Sequence, residues 1–302
     1  MGRLVGLEVT LTGRFWVSWG ASSGTARSSL LDDAAWSESA RLGSKRRRPA
    51  RTWARPSANL AGSLATNRLR RMVRRIDLRA TLDDHQGIFL EQTWRLHPTL
   101  CEFSSELYYD GRLAPVKGSE QQRIDGTGVV DGAGMFVLEC SHEGNQASAP
   151  EEVDAIVQLV ERILRTKSTW TDRNGEVTPL NAEKLLVIAP YNAQVAALRR
   201  ALAPLGITRV GTVDKFQGQE APLVIYSCTS SSPGDAPRGL AFLYDPHRLN
   251  VASSRAQCVF VMVASPCLFS PEVRTPEQMR WANGMCRFRE VAQVLRLEAK
   301  AQ

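Results

Sequence analysis

Apolar residues follow two different patterns on either side of about residue 87. Over residues 1–80, Ser, Ala, Arg and Gly dominate, and few apolar residues recur at a spacing of 2 or 3.6. From residue 87 onward, short apolar runs alternate with amphipathic segments, which is typical of a parallel sheet covered by helices on both faces. The pattern therefore predicts a poorly ordered segment over 1–80 and an α/β domain over 87–302.

The strands and helices of this domain are predicted from the same pattern. Five short apolar runs are candidate strands: Met135–Cys140, Leu185–Ala189, Thr208–Thr212, Leu223–Cys228 and Val259–Ala264. The segment SAPEEVDAIVQLVERILR predicts a helix with a capping box formed by Ser148 and Glu151. Its predicted buried stripe is Val153, Ile156, Val157, Val160, Ile163 and Leu164. Residues 166–182 and 229–241 are predicted surface loops.

Two further helices follow from local signals. Asn192 is a predicted cap for a helix carrying Val195, Leu198 and Leu202, and a final helix is expected from about Glu277.

No run approaches the roughly 20 apolar residues of a membrane span, and no signal peptide is recognisable. We therefore expect a soluble, cytoplasmic protein without a membrane partner. The six cysteines lack CxxC spacing and the four histidines are scattered, so neither a disulfide framework nor a metal site is indicated.

The net charge of +7 is concentrated at one end of the chain. Residues 1–80 hold 16 Lys and Arg against 5 Asp and Glu, whereas residues 81–302 hold 22 against 26. A basic cluster lies among Pro49, Pro56 and Ser57, and its members are Lys45, Arg46, Arg47, Arg48, Arg51 and Arg55. This cluster is either a solvated basic tail or an arm that binds nucleic acid, and the sequence leaves both interpretations open. The basicity carries no argument about the α/β domain.

Four polar segments, each beside an apolar run, carry the candidate chemistry. They read TWRLHPTLCEFSSELYYDGRL from Thr93, VIAPYNAQVAALRR from Val187, VGTVDKFQGQEAPLVIYSCTSS from Val210 and RLNVASSRAQCVFVMVAS from Arg248. In this order they resemble the motifs of Upf-like superfamily 1 helicases, over roughly residues 88–270. The resemblance is strongest to bacterial helicases that carry a RecB-like nuclease domain elsewhere in the chain. It implies a RecA-like fold of the P-loop NTPase class, in the position of the second helicase domain.

The resemblance implies a set of nucleotide-binding residues. Arg95 would reach the γ-phosphate of ATP, Arg255 would be an arginine finger, Trp94 would stack on the adenine and Glu220 would bind the ribose. A guanidinium is permanently charged and forked, which suits developing phosphoryl charge. The alternatives stay open: a local ion pair for Arg95, a core position for Trp94 and a surface salt bridge for Arg255.

Two more residues belong to the implied nucleotide site. Gly218 permits a tight turn that lets backbone amides approach a phosphate or a sugar. Arg248 is expected on the same side of a helix as Arg255. A merely polar turn is the alternative for the Gly218 loop.

The resemblance also implies contacts to a nucleic-acid strand. Tyr191 would stack and Gln194 would bond a phosphate or a sugar, and Thr212, Asp214 and Gln217 would link the strand to the nucleotide site. A capped helix with a half-buried Tyr191 is the alternative.

A P-loop, G-x-x-x-x-G-K-S/T, does not occur in the sequence, and Asp32-Asp33 is not preceded by an apolar strand. We therefore expect half of an ATP-dependent helicase motor, inactive alone, which acts on single-stranded DNA or RNA. Its ATP and Mg²⁺ would be held mainly by a P-loop-containing helicase domain in cis or in trans, and a RecB-like nuclease domain is a further expected partner.

Two hypotheses concern residues 1–80. The first is that the chain is a non-catalytic nucleic-acid-binding protein that uses this basic arm. The second is that the segment is an out-of-frame or truncated remnant of the first RecA-like domain.

Overall fold

The computed structural model describes Thr81, residues 87–216 and residues 218–297. The predicted basic segment over 1–80 lies outside the described residues. In chain order the elements are β1 (Gln92–Thr93), α1 (Pro98–Tyr108), β2 (Ala114–Pro115), β3 (Arg123–Asp125), β4 (Gly134–Glu139), α2 (Pro150–Arg165), β5 (Thr169–Thr171), β6 (Val177–Pro179), β7 (Leu185–Ile188), α3 (Asn192–Leu202), β8 (Val210–Gly211), β9 (Ala221–Ser227), α4 (Leu240–Leu243), α5 (Pro246–Ser253), β10 (Ala256–Ala264), α6 (Pro276–Val291) and β11 (Gln293–Leu295).

Six of these strands form one parallel sheet in the order β11-β4-β10-β9-β7-β8. The strands β7 and β9 are buried along their whole length, as expected for a sheet covered on both faces. Each of the five predicted runs overlaps one of these strands, so the predicted parallel α/β architecture is confirmed. The sixth strand, β11, was not predicted.

Helices pack on both faces of the sheet. On one face α1, α5 and α6 bury Leu100, Leu249 and Phe288 against Phe260 and its neighbours. On the other face α2 and α3 cover the alternate side chains of the same strands. The apolar residues of these two helices in that core are Val153, Ile156, Leu159, Val160, Ile163, Val195, Leu198 and Leu202. The result is a three-layer domain whose two cores share one sheet.

Helix α2 shows where local prediction was right and where it was wrong. The buried stripe is confirmed, with Leu159 added to it, while Val157 and Leu164 lie at its half-buried margin. The capping box is wrong. The N-cap is Ala149 and Pro150 takes the first helical position, while the Glu151 carboxylate accepts from Asn145 Nδ2 at 2.7 Å.

A small antiparallel sheet of β3, β5 and β6 replaces part of a predicted loop. The predicted loop over 166–182 is therefore wrong at β5 and β6, although the segment between them is a turn. There Asp172 accepts from the backbone amides of Asn174 and Glu176, at 2.8 and 2.9 Å. Within the described residues, no helix is both long and apolar enough to cross a membrane.

Candidate functional site

Three predicted site residues meet at the amino ends of β9 and β10. Arg95 Nε donates to Glu220 Oε2, and Arg95 Nη1 donates to the carbonyl oxygen of Ser254 at 2.9 Å. The strands hold this geometry, because Ala221 N donates to Arg255 O at 3.0 Å and thereby sets Glu220 beside Arg255. The structure thus brings together Arg95, Glu220 and Arg255 from three separate motifs. We call this group the arginine pair site.

Arg255 is the most enclosed member of the arginine pair site. The residue is 9% exposed, and its Nη1 donates to the carbonyl oxygen of Gln219 at 3.4 Å. No described residue accepts a hydrogen bond from its buried Nε atom. Burial lowers the pKa of Arg255; the nearby charge of Arg95 acts in the same direction, and the charge of Glu220 opposes it. The geometry holds two like charges close together with one carboxylate nearby, an arrangement suited to an anion.

Glu220 is held on its other side by two further polar residues. Gln257 Nε2 donates to Glu220 Oε1 at 2.9 Å, and Arg209 Nη2 donates to the Glu220 carbonyl at 2.8 Å. Both contacts were missed from the sequence. Arg95 also forms an ion pair with Glu220, which is the alternative role that the sequence left open for it.

Trp94 lies beside Arg95 with most of its ring in solvent. The residue is 66% exposed, so the core alternative for Trp94 is wrong. The Arg173 guanidinium lies 5.0 Å from the ring centroid, and Arg173 Nη1 donates to the Trp94 carbonyl at 3.2 Å. An exposed indole face next to two arginines can accept a planar base by stacking.

The segment 212–220 connects β8 to β9 across the edge of the sheet. Gly218 has φ of +79°, so the left-handed turn predicted there is confirmed. Gln217 lies outside the described residues. The segment ends at the amino end of β9, so Glu220 lies away from the carboxyl ends of the strands, where ligands usually bind in open α/β sheets.

A second group of site residues lies beyond the carboxyl ends of β7 and β8. The Tyr191 ring packs 5.5 Å from the Phe242 ring, at an interplanar angle of 38°. Two guanidinium groups lie over Phe242, that of Arg238 at 4.0 Å and that of Arg248 at 4.3 Å from the centroid. We call these four residues the aromatic–arginine cluster.

Arg248 belongs to this cluster and not to the arginine pair site. Its Nη1 lies 3.7 Å from Asp214 Oδ2, and its Nε lies 3.6 Å from Asp245 Oδ2. No contact joins it to Arg95, Glu220 or Arg255 in the part of the chain that the structure describes. Arg248 lies in the first turn of α5 and Arg255 follows its last turn, so the structure does not bring these two predicted site residues together, and the nucleotide contact of Arg248 stays a prediction. Asp214 is placed beside Arg248, and Thr212 is half-buried at the start of the same segment.

Tyr191 and Gln194 are both less accessible than the resemblance implies. Tyr191 is 7% exposed, and burial raises its pKa. Gln194 is fully buried: its amide bonds Ala149 at both N and O, at 2.9 and 3.2 Å, and donates to Ser227 Oγ at 3.0 Å. In this structure Gln194 ties α3 to α2 and β9, and its contact with a strand stays a prediction.

A buried polar network surrounds this tie and was missed from the sequence. Glu152, fully buried in the first turn of α2, accepts from Ser227 Oγ at 2.5 Å and from Thr229 N at 2.9 Å. His142 Nε2 lies 3.1 Å from Glu152 Oε1, and its Nδ1 lies 2.7 Å from Ser231 Oγ. Thr229 has φ of +73°, which is unusual for a branched residue. The network therefore sets the direction in which the chain leaves β9.

Comparison with known proteins places these residues in a family. The profile of the AAA_12 family, described as an AAA domain, matches residues 69–266. A regulator of nonsense transcripts 1 homolog from Arabidopsis thaliana is 30% identical over 194 residues, which are 61% of this chain and 15% of that protein. The ATP-dependent helicase upf1 of Schizosaccharomyces pombe is 30% identical over 182 residues, covering 57% and 19% of the two chains.

A 3'-5' exoribonuclease of mouse, HELZ2, is 31% identical over 198 residues, which are 57% of this chain and 6% of that protein. The chain thus spans less than a fifth of the length of each of these relatives. The matched region contains all four motifs and both groups of site residues described above. The chain therefore belongs to the AAA_12 family, and its α/β domain is a RecA-like, Upf-like helicase domain of superfamily 1.

Proposed function

We propose that this domain supplies one side of an ATP site in a helicase motor, with the phosphates held on a second domain that carries a P-loop. The observation that supports it best is the convergence of Arg95 and Arg255 around Glu220. The buried Nε of Arg255, for which no described residue is an acceptor, fits the same purpose, since a phosphate oxygen satisfies it.

Each member of the site has a distinct task in this proposal. Arg95 and Arg255 meet the negative charge that develops on the transferred phosphoryl group, Trp94 stacks on the base, and Glu220 accepts from the ribose. Glu220 also holds Arg95 in place before the nucleotide arrives. ATP, when bound, supplies the free energy that drives the two domains together and apart on a strand.

In this proposal the ligands of Mg²⁺ lie on the second domain, the one that carries the P-loop. Among the described residues, no group of three or more His, Cys, Asp or Glu side chains is arranged to hold a metal ion. Carboxylates that neutralise a metal belong with the P-loop, which is absent from this sequence. The domain alone is therefore expected to lack useful ATPase activity, because charge stabilisers without a phosphate cradle have no positioned substrate.

The test is an ATPase assay on this chain, on a separately produced P-loop domain of a family member, and on the mixture with single-stranded RNA or DNA. Binding of the two proteins in the presence of ATP is measured first by sedimentation. We expect hydrolysis in the mixture alone, lowered about 10³-fold or more by Arg255→Ala. Arg274→Ala is the matched control, because Arg274 is exposed and pairs only distantly with Glu272, at 3.9 Å.

Two outcomes contradict the proposal. One is ATP hydrolysis by the chain alone at the rate of the mixture. The other is a mixture whose activity is the same with Arg255→Ala as with Arg274→Ala.

A second candidate function follows from the charge of residues 1–80, namely non-catalytic binding of nucleic acid by the basic arm. Replacing Lys45, Arg46, Arg47 and Arg48 by Gln tests it. If the arm is the binding element, the salt dependence of binding to a single strand falls by about 0.7 in logarithmic slope for each phosphate that the arm no longer neutralises. An unchanged slope contradicts this candidate.

A further inference from the structure

The aromatic–arginine cluster runs from a buried residue to an exposed one in a way that the motifs do not explain. Tyr191 is buried, the Phe242 ring packs against it at a tilt of 38°, and the Arg238 guanidinium lies 4.0 Å from the centroid of Phe242. Arg238 is exposed, whereas Phe242 is half-buried. The outermost planar group of the cluster is therefore the guanidinium of Arg238.

The two arginines of the cluster differ in their charge partners. Arg248 faces Asp214 and Asp245, so its charge is partly neutralised within the domain. In the region that the structure describes, no carboxylate pairs with Arg238. Gly239, the next residue, has φ of +75° and directs the chain into α4, so that Arg238 and Phe242 lie near each other.

An exposed guanidinium held 4.0 Å from the centroid of an aromatic ring is well suited to receive a nucleic-acid base. Its outer face stacks on a base, and its charge attracts the adjacent phosphate. Arginine and aromatic side chains together are the usual means of binding single strands without reading their sequence. Tyr191 offers no such exposed face, because it is 7% exposed and packs against Phe242.

We propose that Arg238, supported by Phe242, is a stacking platform for one base of a single-stranded nucleic acid. This inference rests on the proposed function, because it assigns the strand contact of the same motor to a residue outside the four motifs. It replaces the direct contacts expected of Tyr191 and Gln194 with a contact one layer further out. Phe242 and Tyr191 then act as positioning residues.

The experiment uses the full chain and an oligonucleotide containing 2-aminopurine, whose fluorescence falls when the base stacks. The RNA and DNA forms of the same oligonucleotide are tested separately. We expect binding with quenching for the wild type, and an affinity about 5- to 150-fold weaker with reduced quenching for Arg238→Ala, the range that base stacking contributes. Arg274→Ala should match the wild type.

Arg238→Lys separates stacking from charge. Lysine keeps the charge but has no planar face, so affinity at low salt should be largely retained while quenching stays reduced. Full quenching in Arg238→Lys, or in Arg238→Ala, overturns the inference and leaves the proposed ATP site to its own ATPase test. Failure of the wild-type chain to bind either oligonucleotide contradicts the strand contact of the proposed function and the inference with it. Thermal unfolding of each variant verifies that the fold is intact.

Discussion

Replacing Glu152 tests how much the buried network at the end of β9 contributes to stability. The carboxylate is fully buried, and Ser227 Oγ, Thr229 N and His142 Nε2 lie within hydrogen-bond distance of it. Glu152→Ala leaves these three groups without that acceptor. Ser227 keeps a second partner, since its Oγ also accepts a hydrogen bond from the amide of Gln194.

The magnitude follows from those losses. A buried polar group left without its partner costs about 1–3 kcal/mol. Glu152→Ala leaves two such groups, Thr229 N and His142 Nε2, so we expect it to lower the free energy of unfolding by about 2–6 kcal/mol. Glu152→Gln keeps the shape and one acceptor oxygen, so we expect a loss under about 2 kcal/mol.

The assay is guanidinium unfolding of the full chain followed by far-ultraviolet circular dichroism. Glu151→Ala is the matched control, since Glu151 is the preceding residue of the same helix turn and is exposed. Glu151→Ala should lower the free energy of unfolding by no more than about 1 kcal/mol, the range for a carboxylate near a helix N-terminus. If Glu152→Ala and Glu151→Ala unfold with free energies within about 1 kcal/mol of each other, the network is not the stabilising element described here.

Three further predictions follow from particular residues. Burial raises the pKa of Glu152 above its usual value of 4.5, so its contribution to stability is full below pH 4.5 and is lost as the pH rises through the folded pKa. Relative to Glu152→Gln, the wild type should lose about 1.4 kcal/mol of unfolding free energy for each unit by which folding raises this pKa. Parallel pH profiles of the two proteins would contradict this prediction. Gly218→Ala should lower the unfolding free energy by about 1 kcal/mol, because the backbone at Gly218 is left-handed. Gly211→Ala should lower it by about 1–3 kcal/mol, because the added carbon would lie 2.9 Å from the buried Phe216 ring. Equal and negligible losses would refute both reasons. Phe288→Ala, which removes a fully buried ring packed edge-on against Phe103 and Phe260, should cost about 3–5 kcal/mol by the same unfolding assay, and a loss below about 1 kcal/mol would show that the site collapses.

The sheet and its covering helices could be predicted because their signal is local and repeated. The run Leu185–Ile188 and the stripe of α2 are apolar at the spacing that their elements require. The strand β5 could not be predicted in this way, since three residues centred on the half-buried Trp170 are too short to show a period. The capping box at Ser148 failed because Pro150 fixes the first helical residue two positions later.

The part of the site that the four motifs form could be predicted from the order of those motifs in the sequence. Arg95, Glu220 and Arg255 do meet, although 125 residues separate the first two. The burial of Gln194 could not be predicted, because the sequence gives no sign of whether a polar side chain at a helix start points inward. Arg238 and Phe242 were missed because they lie in a loop and a one-turn helix, where no periodic pattern identifies an aromatic residue as part of a site.

Helix α5 connects the two edges of the domain as a rigid strut. Arg248 lies in its first turn beside Phe242, and Arg255 follows its last turn beside Arg95, a separation of about 10 Å along a helix. Because so short a helix does not bend appreciably and Leu249 anchors it in the core, α5 fixes the distance between Arg248 and Arg255. A substitution that shifts α5 would therefore disturb the arginine pair site and the aromatic–arginine cluster together.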